Sequence, residues 1–329
     1  MAPQRQNDTL TLALVGDIMM GTIYPSMKLP ANDGRNLFDD VKGLLRSADI
    51  AAGNLEGTVF DGPATTKKKG PNSYAFRTPA KYMYNLVDAG FDFVGVANNH
   101  ASDFGEEGRQ GTFRNLKDAG IAYAGRRGEC EYAVVERNGL KVAFTQFGHN
   151  MGTLNLMNYD EVKRVVGEMR RNADIVVVSF HGGAEGRAFT HVPHKMETAF
   201  GENRGDVEKF AHTAIDAGAD VVYGHGPHVP RAAELYKDKP VFYSLGNFCS
   251  PYEFSLKEVS GYAPVAVVKL DGNGRFLGGR THSFKQTTGT GPRIDSGNAA
   301  AKLIRDLSRS DFPDSKLTID ETGELGVKF

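Results

Sequence analysis

One pattern recurs along the chain. A short β-branched run ends in a small cluster of Gly, Asn, Asp, Glu or His, and an amphipathic stretch follows. The runs are Leu10 to Val15, ending in Gly16-Asp17; Ala48-Asp49-Ile50 to Gly53, ending in Asn54-Leu55-Glu56-Gly57; Phe91 to Ala97, ending in Asn98-Asn99-His100; Asp174 to Phe180, ending in His181-Gly182-Gly183; and Asp220 to Tyr223, ending in Gly224-His225-Gly226-Pro227-His228. Near-continuous apolar runs such as Ile175-Val176-Val177-Val178 predict strands buried on both faces. The stretches between them predict helices. Thr78-Pro79 reads as an N-cap and first helical position with Gly90 as the stop, and Phe210 to Ala217 is closed by Gly218. Alternation of the two element types predicts βαβ units and mostly parallel sheets.

Two hairpins interrupt the alternation. Tyr132 to Arg137 turns at Asn138-Gly139 into Leu140 to Gln146, and Ala263 to Leu270 turns through Asp271-Gly272-Asn273-Gly274 into Phe276 onward. Both carry the turn chemistry of tight hairpins and predict antiparallel strands at sheet edges. No linker divides the chain. The reading is one domain over 8–285, with 286–329 as a polar extension that packs peripherally or frays.

With 329 residues, 40% of them hydrophobic, and a formal net charge of -1, the composition is that of a globular protein with a large core. The near-zero charge argues against nucleic acid as a partner. No stretch is long and apolar enough to span a membrane as a helix. Cys130 and Cys249 make no Cys-x-x-Cys pair, which argues against a thiolate metal site and leaves open whether they pair with each other. The polar opening Met1 to Asn7 has no signal-peptide core and is what a removed leader leaves. An extracytoplasmic setting is therefore the expectation, with a cytoplasmic one as the alternative.

Ligand sites in open α/β sheets lie beyond the carboxyl ends of the strands. Here five strand ends bring carboxylate, amide and imidazole groups to that place. Mixed oxygen and nitrogen donors without sulfur suit Mn, Zn, Fe, Mg or Ca and do not distinguish among them. A bridging carboxylate would allow two ions instead of one.

The segments Val15-Gly16-Asp17, Asn54-Leu55-Glu56-Gly57, Ala97-Asn98-Asn99-His100-Ala101-Ser102-Asp103, Gly224-His225-Gly226-Pro227-His228-Val229 and Tyr243-Ser244-Leu245-Gly246-Asn247-Phe248 resemble the capsule-biosynthesis CapA family. That family is associated with poly-γ-glutamate and belongs to the calcineurin-like metallophosphoesterase superfamily. The resemblance runs from about Leu10 to Phe248. It implies a four-layer α/β/β/α sandwich with the site at its mouth. It also implies metal-ligand roles for Asp17, Glu56, Asn99, His181, His225 and His228, and an acid or electrostatic role for His100. The sequence departs from the superfamily pattern in four places. Met19 stands where a histidine is expected, Asn54 where the bridging aspartate is expected, the last pair is His-x-x-His, and Gly182 replaces an aromatic residue. These changes take nitrogen and carboxylate donors from one metal position and point to a single ion, a harder ion or weak occupancy.

Each residue also has a plainer reading. Asp17 alone could cap a helix. His100 is either an acid–base group or a hydrogen-bonded core histidine, and Asp103 either orients a neighbour or caps the next helix. The stretch carrying Glu185, Arg187, His191, His194 and Arg204 has no clear secondary-structure signal. It is either a lid whose arginine clamps a carboxylate or phosphate, or solvated surface. Asn247 either reaches the site or serves a turn, while His149 and His212 read as structural. Lys67-Lys68-Lys69, before Gly70-Pro71-Asn72, reads as a solvated loop ahead of a cationic surface for an acidic polymer.

The expectation is a metal-dependent, hydrolase-like protein of capsule or cell-envelope polymer metabolism. His100 and Asp103 would be its catalytic pair, and Asn54, Glu185, Arg187, Arg204 and Asn247 its substrate contacts. The substrate would be a phosphoester, or an amide of an acidic peptide or polymer, with membrane-associated capsule machinery as a candidate partner. Two alternatives use the same parts: a metal-assisted peptide epimerase, and a non-catalytic polymer-binding or assembly protein.

Overall fold

Strand Thr9–Ile18 runs through the middle of the first sheet, and its pairings organise that sheet. Ile50–Leu55 lies parallel on one side, followed by Phe93–Gly95 and Ala122–Ala124. Val265–Asp271 lies antiparallel on the other, followed by Phe276–His282, Glu324–Val327 and Leu317–Ile319. Asn247–Cys249 pairs in parallel with the far end of the central strand and completes nine strands. The second sheet has six, in the order Ala233–Tyr236, Lys239–Phe242, Val221–His225, Ile175–His181, Leu140–Gly148, Ala133–Arg137. Its inner pairings are parallel and both edge pairings are antiparallel hairpins. The structure is a computed structural model that describes residues 9–62, 74–252 and 254–328. The Lys67-Lys68-Lys69 run lies outside the described residues.

The period of two along each strand builds the layers. Leu12, Leu14 and Phe93 of the first sheet meet Val142, Phe144 and Val177 of the second in one buried core. The rings of Phe93 and Phe144 stack there with centroids 4.8 Å apart. Intervening residues Ala13, Val15, Ala51 and Val94 face the other way, against Leu45, Leu86, Phe113 and Leu116. Those four belong to helices Lys42–Ser47, Met83–Ala89 and Gly105–Asp118. On the far side, Val176, Val178 and Val222 pack on Val162, Val166, Phe210 and Ala214 of helices Tyr159–Asn172 and Val207–Asp216. Each large apolar side chain buried this way contributes roughly 1.5–3 kcal/mol. The result is the four-layer α/β/β/α sandwich that the resemblance to calcineurin-like metallophosphoesterases implied.

Some local expectations give way. The segment after Lys285 does not fray. Helix Ala299–Asp311 buries Ile304, and the last two strands place Leu317, Ile319 and Leu325 in the inter-sheet core. Its polar composition concealed strands with few inward positions. Thr78 is not a helix cap: it lies in the short strand Arg77–Thr78 and its hydroxyl donates to Gly21 O. Asp61 Oδ1 instead accepts from Ala80 N at the start of the following helical turn. Gly90 does close that helix, with φ 90°. The stretch around Arg204 is ordered by a hairpin, Glu197–Ala199 with Glu202–Gly205. Its turn uses Phe200 and Gly201 at φ 52° and 79°, so it lacks the usual Asn-Gly signature. Cys130 and Cys249 are both free thiols. Among the described residues, no helix is long and apolar enough to cross a membrane.

Candidate metal centre

Neighbouring strand ends supply the site. Asp17 sits near the end of the central strand, in register with Asn54 on one side and Asn247 on the other. Glu56 follows the next strand, and its N–H donates to Ile18 O at 2.9 Å. His181 and His225 end adjacent parallel strands and are register partners. His228 lies in the loop beyond, at φ 57°. A non-glycine residue held there costs of order 1–3 kcal/mol, and such strain clusters at functional sites. Gly16 permits the closest approach: a Cβ there would sit 2.0 Å from Gly246 O. Without a side chain, the strand approaches closely enough for Asp17 N to donate to the same oxygen at 2.9 Å.

The side chains converge. His228 Nδ1 donates to Asp17 Oδ2 at 3.0 Å and to Asn247 Oδ1 at 3.1 Å. Its Nε2 lies 3.7 Å from Glu56 Oε1. His225 Nδ1 is 3.5 Å and His181 Nδ1 3.9 Å from Asp17 Oδ1, and His181 Nε2 is 3.9 Å from Glu56 Oε1. Asp17, Glu56 and His181 offer ligand atoms all within 4.8 Å of one another.

These groups are buried, and burial sets their protonation. Desolvation pushes the Glu56 carboxyl well above the ordinary range, and the Asp17 charge pushes it further. Burial drives His181 well down, helped by His228, and drives His225 down to about 4. Burial lowers His228 too, but Glu56 and the Asp17 hydrogen bond overcome that and raise it to about 10. Burial thus holds Glu56 on its proton, and a cation that displaced the proton would relieve its repulsion with Asp17. Among the described residues, both Glu56 oxygens, His181 Nε2, both nitrogens of His225 and Asn99 Oδ1 are buried without a hydrogen-bond partner. Buried polar atoms are nearly always paired. A donor set left open this way, carboxylate plus neutral imidazole, fits a divalent ion.

Asn54 behaves differently. Its Nδ2 donates to Asp17 Oδ1 at 2.7 Å and approaches His181 Nδ1 at 3.3 Å. Its Oδ1 accepts from Asn98 Nδ2 and Gln146 Nε2, both at 2.9 Å. The amide is filled on both sides, so it orients Asp17 and leaves no oxygen facing an ion. Contact with substrate is therefore also closed to it, against the sequence expectation.

His100 borders this centre. Its Nδ1 donates to Asp103 Oδ2 at 2.7 Å, and Phe76 N donates to the same oxygen at 2.9 Å. That fixes the tautomer and leaves Nε2 4.0 Å from Glu56 Oε1. Asp103 is an orienting group and not a cap. Arg204 Nη1 donates to Glu185 Oε1 at 2.6 Å, and both contribute to the electrostatics of the histidines. Arg187 is not brought in: it is exposed and pairs with Glu258 at 2.7 Å. His191 and His194 bond to Asp311 and Glu208 at the surface. His212 bonds Glu234 and stacks on Tyr236, a structural role.

Sequence reasoning passed over Asn98, Gln146, Phe76 and Phe254. Asn98 and Gln146 had a signal, since both are polar residues at the ends of buried apolar runs. His149, read as structural, donates to His181 O at 3.3 Å beside the centre.

The comparisons with known proteins bear on this arrangement. The chain is similar to the capsule biosynthesis protein CapA of Bacillus anthracis, 30% identical over 264 residues, 74% of this chain and 60% of that protein. It is similar to the PGA biosynthesis protein CapA of Bacillus subtilis, 29% identical over 288 residues, 82% of this chain and 70% of that protein. The chain thus spans 60% of the length of the first relative. Among solved structures it is similar to a 5'-nucleotidase precursor from Thermus thermophilus, with TM-score 0.48, 13% identity, and 92% of this chain and 59% of that one covered. The model of the bacterial capsule synthesis protein PGA_cap matches residues 11–252. That match takes in most of the 329 residues and every strand end that builds the site, and the chain belongs to this family.

Proposed function

We propose that the protein is a metal-dependent hydrolase acting on an acidic polymer of the bacterial envelope, with poly-γ-glutamate-type chains as the substrate class and an extracytoplasmic place of action. The observation that carries the reading is Glu56. Its carboxylate is buried beside Asp17, and neither oxygen has a hydrogen-bond partner among the described residues. Buried polar oxygens are nearly always paired, so this open carboxyl fits a cation that would take the place of its proton. The names of the relatives, in capsule and PGA biosynthesis, support the polymer.

Asp17, Glu56, His181, His225, His228 and Asn99 would hold the ion. When bound, a divalent ion supplies Lewis-acid polarisation and a more acidic water. The remaining chemistry belongs to the chain. Asn54, Asn98 and Gln146 keep Asp17 in one orientation. Asp103 keeps the His100 proton on Nδ1, so Nε2 faces the site and can take a proton, or give one when the ring is charged. Arg204, held by Glu185, adds positive charge for an anionic substrate.

The test is calorimetric titration of wild type and the His225→Ala/His228→Ala double variant with Mn, Zn and Ca. Hydrolysis of a γ-linked oligoglutamate by the loaded protein completes it. Equal affinity in wild type and double variant would remove the assigned ligands. Ion binding without cleavage would leave a non-catalytic polymer-binding protein.

A further inference from the structure

Beside the metal centre, two buried polar groups lie under one exposed side chain. His149 follows Gly148, the register partner of His181. A carbonyl only accepts, so the bond to His181 O places the hydrogen of the neutral ring on Nδ1 and leaves Nε2 as an acceptor. That Nε2 is buried and has no hydrogen-bond partner among the described residues. Arg204 is the residue without a register partner in the hairpin, a bulge of the kind that re-aims a side chain. Gly183 N donates to Arg204 O at 2.8 Å, and Gly182 leaves room for that approach, since a Cβ there would lie 2.7 Å from the same oxygen. Glu185 holds Arg204 Nη1. Glu202 Oε2 lies 3.5 Å from His149 Nε2 and 3.5 Å from Arg204 Nη2. Both separations are longer than an ordinary hydrogen bond, and towards His149 the contact sets acceptor against acceptor. The Glu202 side chain is 56% exposed, against 2% for His149 and 4% for Arg204. It is a loose cover over two groups that are not otherwise satisfied.

We propose that His149 Nε2 and the Arg204 guanidinium form a two-point subsite for a substrate unit that carries an amide N–H and a carboxylate on one carbon, and that substrate displaces Glu202 to reach them. The proposal rests on the polymer reading above and names the groups that recognise each unit. In a γ-linked glutamate chain every α-carbon bears such a pair. The N–H donates to His149 Nε2, and the carboxylate takes the place of the Glu202 carboxylate on Arg204. Both protein atoms lie 3.5 Å from the same Glu202 oxygen, so they are no more than twice that apart. Two hydrogen bonds to one such unit bridge that span. A phosphoester backbone has no N–H for His149, so the subsite favours amide-linked chains.

The test uses the full chain at about pH 8, where an imidazole is ordinarily neutral. Two fluorescein-labelled γ-linked oligoglutamates are followed by anisotropy with Mn present. One is unmodified, and the other is N-methylated, so that it keeps every carboxylate and lacks the N–H. Wild type is expected to bind the N-methylated oligomer roughly tenfold more weakly, the loss of one hydrogen bond to a buried acceptor. His149→Phe should bind both oligomers alike. Glu202→Gln, on an exposed side chain, should bind the unmodified oligomer several-fold more tightly and keep the preference, with Mn titration unchanged. Equal wild-type affinity for the two oligomers would overturn the subsite, and that comparison needs no variant to fold. So would a preference that survives in His149→Phe. Unchanged or weaker binding by Glu202→Gln would overturn the cover. A wild type that binds neither oligomer while still taking up Mn would overturn the polymer reading and the subsite with it.

Discussion

Asn54 Nδ2 donates to Asp17 Oδ1 at 2.7 Å across two parallel strands in which the residues are register partners. The donation ties down one oxygen of the central carboxylate. It also places a neutral donor where the superfamily resemblance calls for a bridging acid. Because Asn98 and Gln146 both donate to Asn54 Oδ1, the amide cannot turn over without losing those bonds.

Asn54→Asp is therefore expected to admit a second ion, since two facing carboxylates with no proton or metal between them repel. Met19→His adds a nitrogen donor to the same position. The measurement is Mn stoichiometry by calorimetry for wild type, Asn54→Asp and the double variant. An unchanged stoichiometry throughout would mean that these two positions do not limit occupancy.

Wild-type turnover of an aryl phosphodiester with added Mn is expected to be slow, and faster in Met19→His/Asn54→Asp. Less negative charge around the ion weakens activation of the nucleophile that phosphodiester cleavage uses. Brisk wild-type hydrolysis would refute this and restore a plain phosphoesterase reading.

Asp103→Asn should lower kcat on the cleaved substrate by roughly 10²-fold while leaving KM nearly unchanged. The carboxylate acts through His100, by holding its tautomer and ring. A parallel rise in KM, or a loss of folded protein, would assign Asp103 to the structure around Phe76 instead.

The metal-free protein should lose thermal stability as pH rises from about 6.5 towards about 10. His228 is raised in the folded state, so its contribution is complete below the unfolded value and is lost as pH climbs through the folded one. Glu56, raised well above its ordinary range, works in the same direction, because the folded site must accept its charge as pH rises. Adding Mn replaces the proton and should flatten the curve. Melting temperatures with chelator and with Mn across this range decide it. A chelated protein that gains stability with pH would contradict it.

Arg231 is fully buried, and its guanidinium bonds both oxygens of Glu197 at 2.8 Å and the carbonyls of Phe189 and Ala184. Arg231→Met leaves Glu197 buried without its counter-charge, with only Ala184 N still donating to Oε2, at a cost of about 3–5 kcal/mol. Chemical denaturation should register that loss. Arg231→Met/Glu197→Met should recover part of it, and a single variant as stable as wild type would show the pair to be dispensable.

The strand ends were legible because a strand buried on both faces is an unbroken apolar run, and polar residues appear where it emerges. Asp17, Glu56, His181 and His225 could be read on that ground, and so could the hairpin at Asn138-Gly139. Asn98 and Gln146 carried the same signal, but nothing local distinguishes an ion's ligand from the amide that holds a ligand in place. Which donors meet is a matter of register and of the crossing from one sheet to the other. His228 and Asp17 are 211 residues apart in the chain and 3.0 Å apart in space. Likewise Arg204 and Arg187 look alike in sequence, and only packing turns one inward to Glu185 and the other outward to Glu258. The sequence by itself determined the strands, the helices between them and the pool of donors, because hydrophobic periodicity is local, while the four layers were implied by the family resemblance. The tertiary structure decided the partners, because hydrogen bonds and charge pairing act through space between segments that the chain order keeps far apart.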